Sequence, residues 1–459
     1  MLQWGVTITD GPSDWQVIQR DDKDVASITI RGKWRASEAV FSVQARVVSE
    51  ATGAPVTRHL DWQDARIDID SSEFEITLAG IPCGGLYRVE TRIRRPEAGD
   101  RRAMRGDYIH NFAVGDIYII TGQSNASGTG KGAADDGPMF GVHLFGNDEQ
   151  WKIATHPIED ATNTLHPITI TTVFHGYSPW LAFGKHVLVH THVPIGLIPT
   201  ALGGSSISMW VTDEGKPGPL FENMMDMLAK AGGKAAGVLW HQGESDCYVQ
   251  QSQMYAERFH KLVSLLRSSI DPNIPVITGQ LNSYSYSDPT EDTSWSSIRE
   301  IQRRLTHELP GVYMAVTLDC PVSDEIHNSA AANVLVGERY ADVALEHIYG
   351  MPIQSGFPEP GTVRFEGAEQ TSVFADFINV AGDWTPAQKV DDFKVEDDAG
   401  FVPIESMQLI PPCEVRISLT RPAQGKAILH GLYGMRPSIT LRDDNCRCLT
   451  GFSVPIKSA

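Results

Sequence analysis

Four polar stretches of this chain hold residues whose types and spacing suit acyl transfer. The first, Gly122-Gln-Ser-Asn-Ala-Ser-Gly-Thr-Gly130, follows the apolar run Asp116–Thr121. A strand that stops in Gly-X-Ser-Asn presents its serine at the carboxyl end of a sheet, where open α/β folds hold ligands. Ser124 is therefore a candidate nucleophile. The second, Asp319-Cys-Pro-Val-Ser-Asp-Glu-Ile-His-Asn-Ser329, also follows a strand-like run and sets Asp324 three residues before His327. A histidine there could take the serine proton while the carboxylate fixes its tautomer and stabilises the imidazolium. Taken alone, each stretch also reads as an ordinary turn.

Two further strand-to-loop stretches lie between them. Val238-Leu-Trp-His-Gln-Gly-Glu-Ser-Asp246 carries Gln242, whose amide could donate to a developing oxyanion. Thr200-Ala-Leu-Gly-Gly-Ser-Ser-Ile-Ser-Met-Trp210 supplies open backbone N–H groups at its glycines. The N–H groups of Ser124 and Gly204 with the Gln242 side chain would make a three-donor oxyanion hole, Gly203 being the alternate backbone donor. Losing one such donor typically costs about 10²–10³ in rate. Glu244 and Asp246 read as groups that hydrogen-bond and shape their loop. A glycosidase would need two carboxylates flanking a sugar bond; Glu244 and Asp324 could be forced into that role, but the serine loop would then have no task.

Loops that meet in this way need strands that point the same way. From about 114 to 350, apolar runs alternate with longer helical periods. Strands are predicted at Ile117–Thr121, Val193–Pro199, Ala236–Trp240, Pro275–Gly279 and Val312–Leu318. Helices are predicted around Pro179–Thr191, Val249–Ser269, Ser294–His307 and Ser329–Tyr349. Such alternation means an α/β fold with a mainly parallel sheet covered on both faces. Residues 1–113 read all-β, with alternating runs at Val25–Gly32, Phe41–Val47 and Phe74–Gly80 that suggest an immunoglobulin-like sandwich. Residues 351–459 read β again, with runs at Thr362–Phe365, Thr371–Phe374, Glu414–Leu419 and Lys426–Leu432. The expected division is thus 1–113, 114–350 and 351–459.

This constellation resembles the SGNH (GDSL-like) hydrolases, in particular the sialate O-acetylesterase and acetylxylan esterase branch of carbohydrate esterases. The resemblance is carried by Gly115-Asp-Ile-Tyr118 with Gly122-Gln-Ser-Asn125, Gly203-Gly204 with Trp210, Trp240-His-Gln-Gly-Glu244 and Asp324-Glu-Ile-His327. Trp295-Ser-Ser-Ile-Arg-Glu-Ile-Gln302, Trp15–Arg20 and Tyr433–Ile456 add to it. It implies a three-layer α/β/α central domain between the two β regions. It implies Ser124 as nucleophile, His327 as base, Asp324 as its orienter, and Gly204 and Gln242 in the oxyanion hole. The implied reaction removes O-acetyl groups from a carbohydrate, sialic acid or a plant polysaccharide, through an acyl-enzyme and without a cofactor. Gln123 replaces the usual Asp of Gly-Asp-Ser and Gln242 the usual Asn, as fits this branch. Thr121 and Ala126 depart from it and leave the sugar open. Trp210, Gln123 and Asn125 are the candidate substrate-binding residues, with Trp180 as a further stacking candidate; Asn125 also reads as a loop stabiliser. Two alternatives are an esterase or thioesterase on non-sugar acyl groups, and an inactive carbohydrate-binding protein.

Composition narrows the partners. A net charge of −19 argues against a nucleic-acid backbone or an anionic membrane and favours neutral or weakly charged substrates. No apolar run approaches the roughly 20 residues of a membrane span. The start of the chain lacks a basic region followed by an apolar core, so the expected location is the cytoplasm, or the periplasm or exterior if a signal has been removed. The six cysteines are scattered and read as free thiols. Gly130-Lys131 faintly resembles a phosphate loop, but Asn125 stands where its first glycine belongs and Gly132 where its hydroxyl belongs. His186, His190 and His192 lack the glutamate of a metalloprotease helix, so no metal is expected. Trp4, Trp15 and Trp34 read as core residues of the sandwich. A histidine base must be neutral to act, which for an ordinary imidazole puts the acidic limb of activity at about pH 6–7.

Overall fold

The computed structural model describes residues 4–36, 42–94, 103–170, 175–285, 291–386 and 389–458. At its centre, strands run in the order Trp151–Ile153, Val142–Phe145, Ile195–Pro199, Met104–Gly122, Gly237–His241, Val276–Gln280 and Val312–Val316. The first pairs antiparallel with its neighbour; every other pairing along this row is parallel. Six α-helices follow in chain order among the described residues: α1 (Ser124–Ser127), α2 (Trp180–Thr191), α3 (Pro219–Ala231), α4 (Val249–Ser269), α5 (Asp292–Glu308) and α6 (Ala330–His347).

Alternation along the central strand divides the interior in two. Ile117 and Ile119 join a core with Met224 of α3, Phe259 of α4 and Ile298 of α5. Tyr118 and Ile120 join the opposite core with Phe183 of α2 and Tyr340 of α6. Burial on both faces is why Ile117-Tyr-Ile-Ile reads as an unbroken apolar run. The sequence reading leaves out α3 and the Val142–Phe145 and Trp151–Ile153 hairpin. Helix α3 nevertheless carried its boundary signals, with Pro219 at its first position and Gly232 as its C-terminal cap.

The division at 113 falls inside one 19-residue strand. The first half of Met104–Gly122 pairs antiparallel with Gly84–Arg94, and its second half lies in the parallel sheet. The N-terminal β region is therefore continuous with the central sheet through a single strand. Its other sheet, with Gly5–Asp10, Val25–Arg35, Glu73–Pro82 and Arg66–Asp68, shares a core of Ile30, Val47, Leu78 and Val89 with the first. Phe41 lies outside the described residues. Trp4 is half exposed beneath the Arg35 guanidinium rather than in that core.

The C-terminal region forms two four-stranded antiparallel sheets around Val373, Val395, Ile417 and Leu429. It is fastened to the central region by polar groups. Gln280 exchanges two 2.9 Å hydrogen bonds with the Gly451 backbone. Arg299, fully buried on α5, donates to the carbonyls of Leu281, Asn282, Gly434 and Met435. Burial lowers this guanidinium to about 10. Arg299→Leu takes a donor from all four carbonyls, of which Met435's keeps the Tyr284 N–H at 2.9 Å, and the unfolding free energy by denaturant titration should fall by about 3–5 kcal/mol.

Candidate active site

The carboxyl ends of five parallel strands open onto one cleft of about 530 Å³, lined by Gln123, Ser124, Gly203, Gly204, Glu244, Tyr284 and His327 among others. The Met104–Gly122 strand ends at Gly122, whose φ is +137°. A Cβ there would lie 2.1 Å from the His241 carbonyl oxygen, so only glycine lets the two strand ends approach. The chain then enters α1, a single turn that begins at Ser124.

Ser124 Oγ lies 3.0 Å from His327 Nε2. His327 Nδ1 lies 3.1 and 3.0 Å from the two Asp324 oxygens. Asp324 Oδ1 also accepts the N–H groups of Ile326 (3.1 Å) and His327 (2.9 Å), and Lys131 Nζ donates to Oδ2 at 3.0 Å. Burial opposes the Asp324 charge, but the His327 ring, these two amides and Lys131 outweigh it and hold the carboxyl well below the usual carboxylate range. A carboxylate that stays charged while bonded to Nδ1–H leaves the Nε2 lone pair facing the serine hydroxyl.

The backbone N–H groups of Ser124, Gly203 and Gly204 have no backbone partner among the described residues. Gly204 holds the left-handed conformation at φ +71°, and the site of a Gly203 Cβ would lie 3.7 Å from Ser124 Cβ. Gln242 does not join them. Its Nε2 donates inward to Asp246 Oδ2 (2.6 Å), the Ser205 carbonyl (3.0 Å) and Gln123 Oε1 (3.2 Å), and the residue is fully buried outside the cleft lining. Gln123 stands in front of it. Its Oε1 accepts from the amides of Gly243 (3.3 Å) and Ser245 (3.1 Å), which fixes which end of the amide is oxygen. Nε2 of Gln123 is thereby turned away from those donors, and it has no protein partner among the described residues.

Three other sequence expectations need correction. Trp210 is fully buried, donates to Thr121 Oγ1 at 2.9 Å and packs edge-on against Trp240, so it is core and not a sugar platform. Trp180 is also core, bonded to the Ala126 carbonyl. Asn125 is 1% exposed and spends its amide on Glu244, the Ile326 carbonyl and the Asn328 N–H, which leaves nothing for a substrate. Thr121 and Ala126 are buried in the same packing and do not line the cleft.

Sequence reasoning missed the opposite wall. Tyr248, Tyr284, Glu291 and Trp295 line it, the Tyr284 and Trp295 rings 5.4 Å apart. The available signal was position: Tyr284 follows the Val276–Gln280 strand just as Ser124 and Gln242 follow theirs. Cys247 lines the cleft too, but its thiol is buried, pushed well above its ordinary range by that burial, and bonded to the Gly243 carbonyl. Asp246 accepts from Ser206 Oγ (2.6 Å) and the Ile207 N–H (2.9 Å), a loop-shaping role. Among the described residues, Glu149, His166 and Asp226 have metal-compatible spacing, but the Lys230 ammonium already lies 2.5 and 2.9 Å from the two carboxylates. None of these lines the Ser124 cleft.

A parallel-sheet α/β protein with a serine, histidine and aspartate in hydrogen-bonded series at its strand ends is of the hydrolase class. Residues 114–346 match the family described as carbohydrate esterase, sialic acid-specific acetylesterase. The chain belongs to this family and, with it, to the carbohydrate O-acetylesterases. It is 28% identical over 256 residues to a probable carbohydrate esterase of Arabidopsis thaliana, covering 50% of this chain and 90% of that protein. Its fold is similar to the crystal structure of a carbohydrate acetylesterase from Xanthomonas citri, with a TM-score of 0.68 and 19% identity over 96% of this chain and 98% of that one.

The depressed Asp324 carboxyl makes a prediction about pH. This group contributes its charge above its folded titration and loses it only in strong acid. The kcat/KM profile should therefore show no carboxylate step from Asp324 between about pH 8 and 4.

Proposed function

We propose that Ser124, His327 and Asp324 are the nucleophile, base and orienter of a serine esterase that removes O-acetyl groups from an uncharged sugar. The observation that carries this reading is the unbroken series from Ser124 Oγ through the His327 ring to Asp324. Ser124 Oγ attacks the acetyl carbonyl as its proton passes to His327 Nε2. The sugar alcohol departs with that proton. Water, deprotonated by the same nitrogen, then releases acetate from Ser124. The oxyanion is held by the N–H groups of Ser124 and Gly204, with Gly203 as alternate, and by Gln123 Nε2 in the place that sequence reasoning gave to Gln242.

The lining of the cleft favours a neutral alcohol. Glu244 and Glu291 both face it, and no lysine or arginine is among the described lining residues. A sialic acid would bring its own carboxylate against those groups, whereas an acetylated xylan or mannan unit brings only hydroxyls to pair with them and ring faces to stack on Tyr248 or Tyr284. We read the architecture as a three-layer SGNH-type domain up to about residue 350 that shares the Met104–Gly122 strand with a β-sandwich before it and is followed by a β domain from about 351. The two buried cores on either side of the parallel sheet support that reading.

Ser124→Ala and His327→Ala should each abolish acetate release from 4-nitrophenyl acetate while circular dichroism stays native; full activity in Ser124→Ala would sink the mechanism. Gln123→Ala should lower kcat about 10²–10³-fold. Gln242→Ala should instead show mainly as lost stability, and the reverse pattern would return the oxyanion role to Gln242. Acetate released from acetylated xylo-oligosaccharides but not from O-acetylated sialic acid would support the neutral-sugar assignment, and the opposite preference would refute it.

A further inference from the structure

The Gly130-Lys131 pair, which lies outside any phosphate loop, has a different place in the fold. Lys131 runs alongside the loop that carries Asp324 and His327 and is bonded to it at three points. Its backbone N–H donates to Ser323 Oγ at 3.3 Å, and its carbonyl accepts the Ala330 N–H at 2.9 Å. Between those anchors its ammonium reaches Asp324 Oδ2 at 3.0 Å, and the same oxygen lies 3.0 Å from His327 Nδ1. Gly130 leaves this segment no slack: a Cβ there would lie 2.6 Å from Asn333 Nδ2 and 2.9 Å from the Tyr177 carbonyl oxygen.

We propose that Lys131 is a positioning residue for the esterase reaction, sharing Asp324 with the imidazole so that His327 stays an available base at lower pH. The proposal rests on the reading of Ser124, Asp324 and His327 as the catalytic series. The charges that face His327 set the sign. Asp324 is bonded to it, and Glu244 and Glu291 line the same cleft; Glu325 is its near neighbour in the loop. All four are acidic groups that, when ionised, favour the imidazolium. Lys131 is the cation bonded to the same carboxylate, and it acts in the opposite direction. Lys131 Nζ and His327 Nδ1 each lie 3.0 Å from that oxygen and so no more than 6.0 Å from one another; two cationic centres that close in a partly solvated site repel enough to move a titration by on the order of half a pH unit. The Lys131 side chain is 58% exposed, so salt can screen it.

The test is Lys131→Met in the full chain, which keeps most of the apolar stem and removes the charge. kcat/KM for 4-nitrophenyl acetate is measured from about pH 5 to 9, at low salt and at about 1 M NaCl, where the screening length is about 3 Å. The acidic limb should move up by about half a pH unit, so that activity at its foot falls about threefold more than activity on the alkaline plateau. Lys131→Arg should restore the wild-type limb. High salt screens the facing acids in both proteins but the lysine only in the wild type, so the gap between the two limbs should narrow. A limb that does not move, or a loss uniform across pH with no salt response, overturns the proposal and leaves Lys131 a strut. Should Ser124→Ala remain fully active, it is the catalytic reading that fails instead.

Discussion

One buried amide holds the cleft in register. Asn125 donates to Glu244 Oε1 at 2.8 Å and to the Ile326 carbonyl at 3.3 Å, and accepts the Asn328 N–H at 3.0 Å. It thereby joins the serine loop to the Gln-Gly-Glu loop and to the loop of Asp324 and His327, which lies some two hundred residues away in sequence. A serine and a histidine on separate loops stay 3.0 Å apart only if the loops cannot slide, and a fully satisfied buried amide resists sliding because each broken bond strands a polar group away from water. Gln123 does the same next door, with its oxygen committed to the Gly243 and Ser245 amides.

The sheet makes those bonds possible. Parallel neighbours deliver all their carboxyl ends to one edge, so five loops of unrelated sequence meet there without long excursions. Gly122 and His241 show how close the ends come, with the Gln123 N–H donating to the His241 carbonyl at 3.0 Å. The burial of Trp210 and Trp240 behind this edge belongs to the same economy of space. Their rings fill the interior beneath the loops, and the aromatic surface left for a ligand comes from Tyr248 and Tyr284 on the far wall.

Much of this was legible in the sequence. Five of the six parallel strands in the central row, among the described residues, announced themselves because burial on both faces removes polar residues from them; Val142–Phe145, interrupted by a buried His143, did not. Ser124, Asp324 and His327 were legible because each follows such a strand in a loop with turn chemistry. What could not be read was direction. Gln123 and Gln242 are the same residue type, each one step past a strand end, and their roles differ by which face of the loop the amide takes. Trp210 offers the same lesson: a tryptophan in a strand-end loop stacks on sugar or fills a core according to a single backbone turn. The division at 113 was blurred for another reason, since a strand that serves two sheets changes its neighbours without changing its periodicity.

The Gly203–Gly204 turn shows what rigidity costs when the donors are backbone groups outside any helix or strand. It is pinned from both sides by buried carboxyls. Glu159 accepts the Ala201 N–H at 3.2 Å on one side, and Asp246 takes Ser206 Oγ and the Ile207 N–H on the other. Burial raises both groups above their ordinary range, Glu159 well above it. Neither carboxyl lines the cleft, and each is held in an environment that opposes its charge. That expense makes sense only if the turn between them must not move. Donors that stabilise a developing oxyanion do so by standing ready before the charge appears, and a turn free to relax would forfeit that advantage. Glu159 and Asp246 are thus support for backbone N–H groups behind the cleft, while Glu244 and Glu291 line the cleft itself.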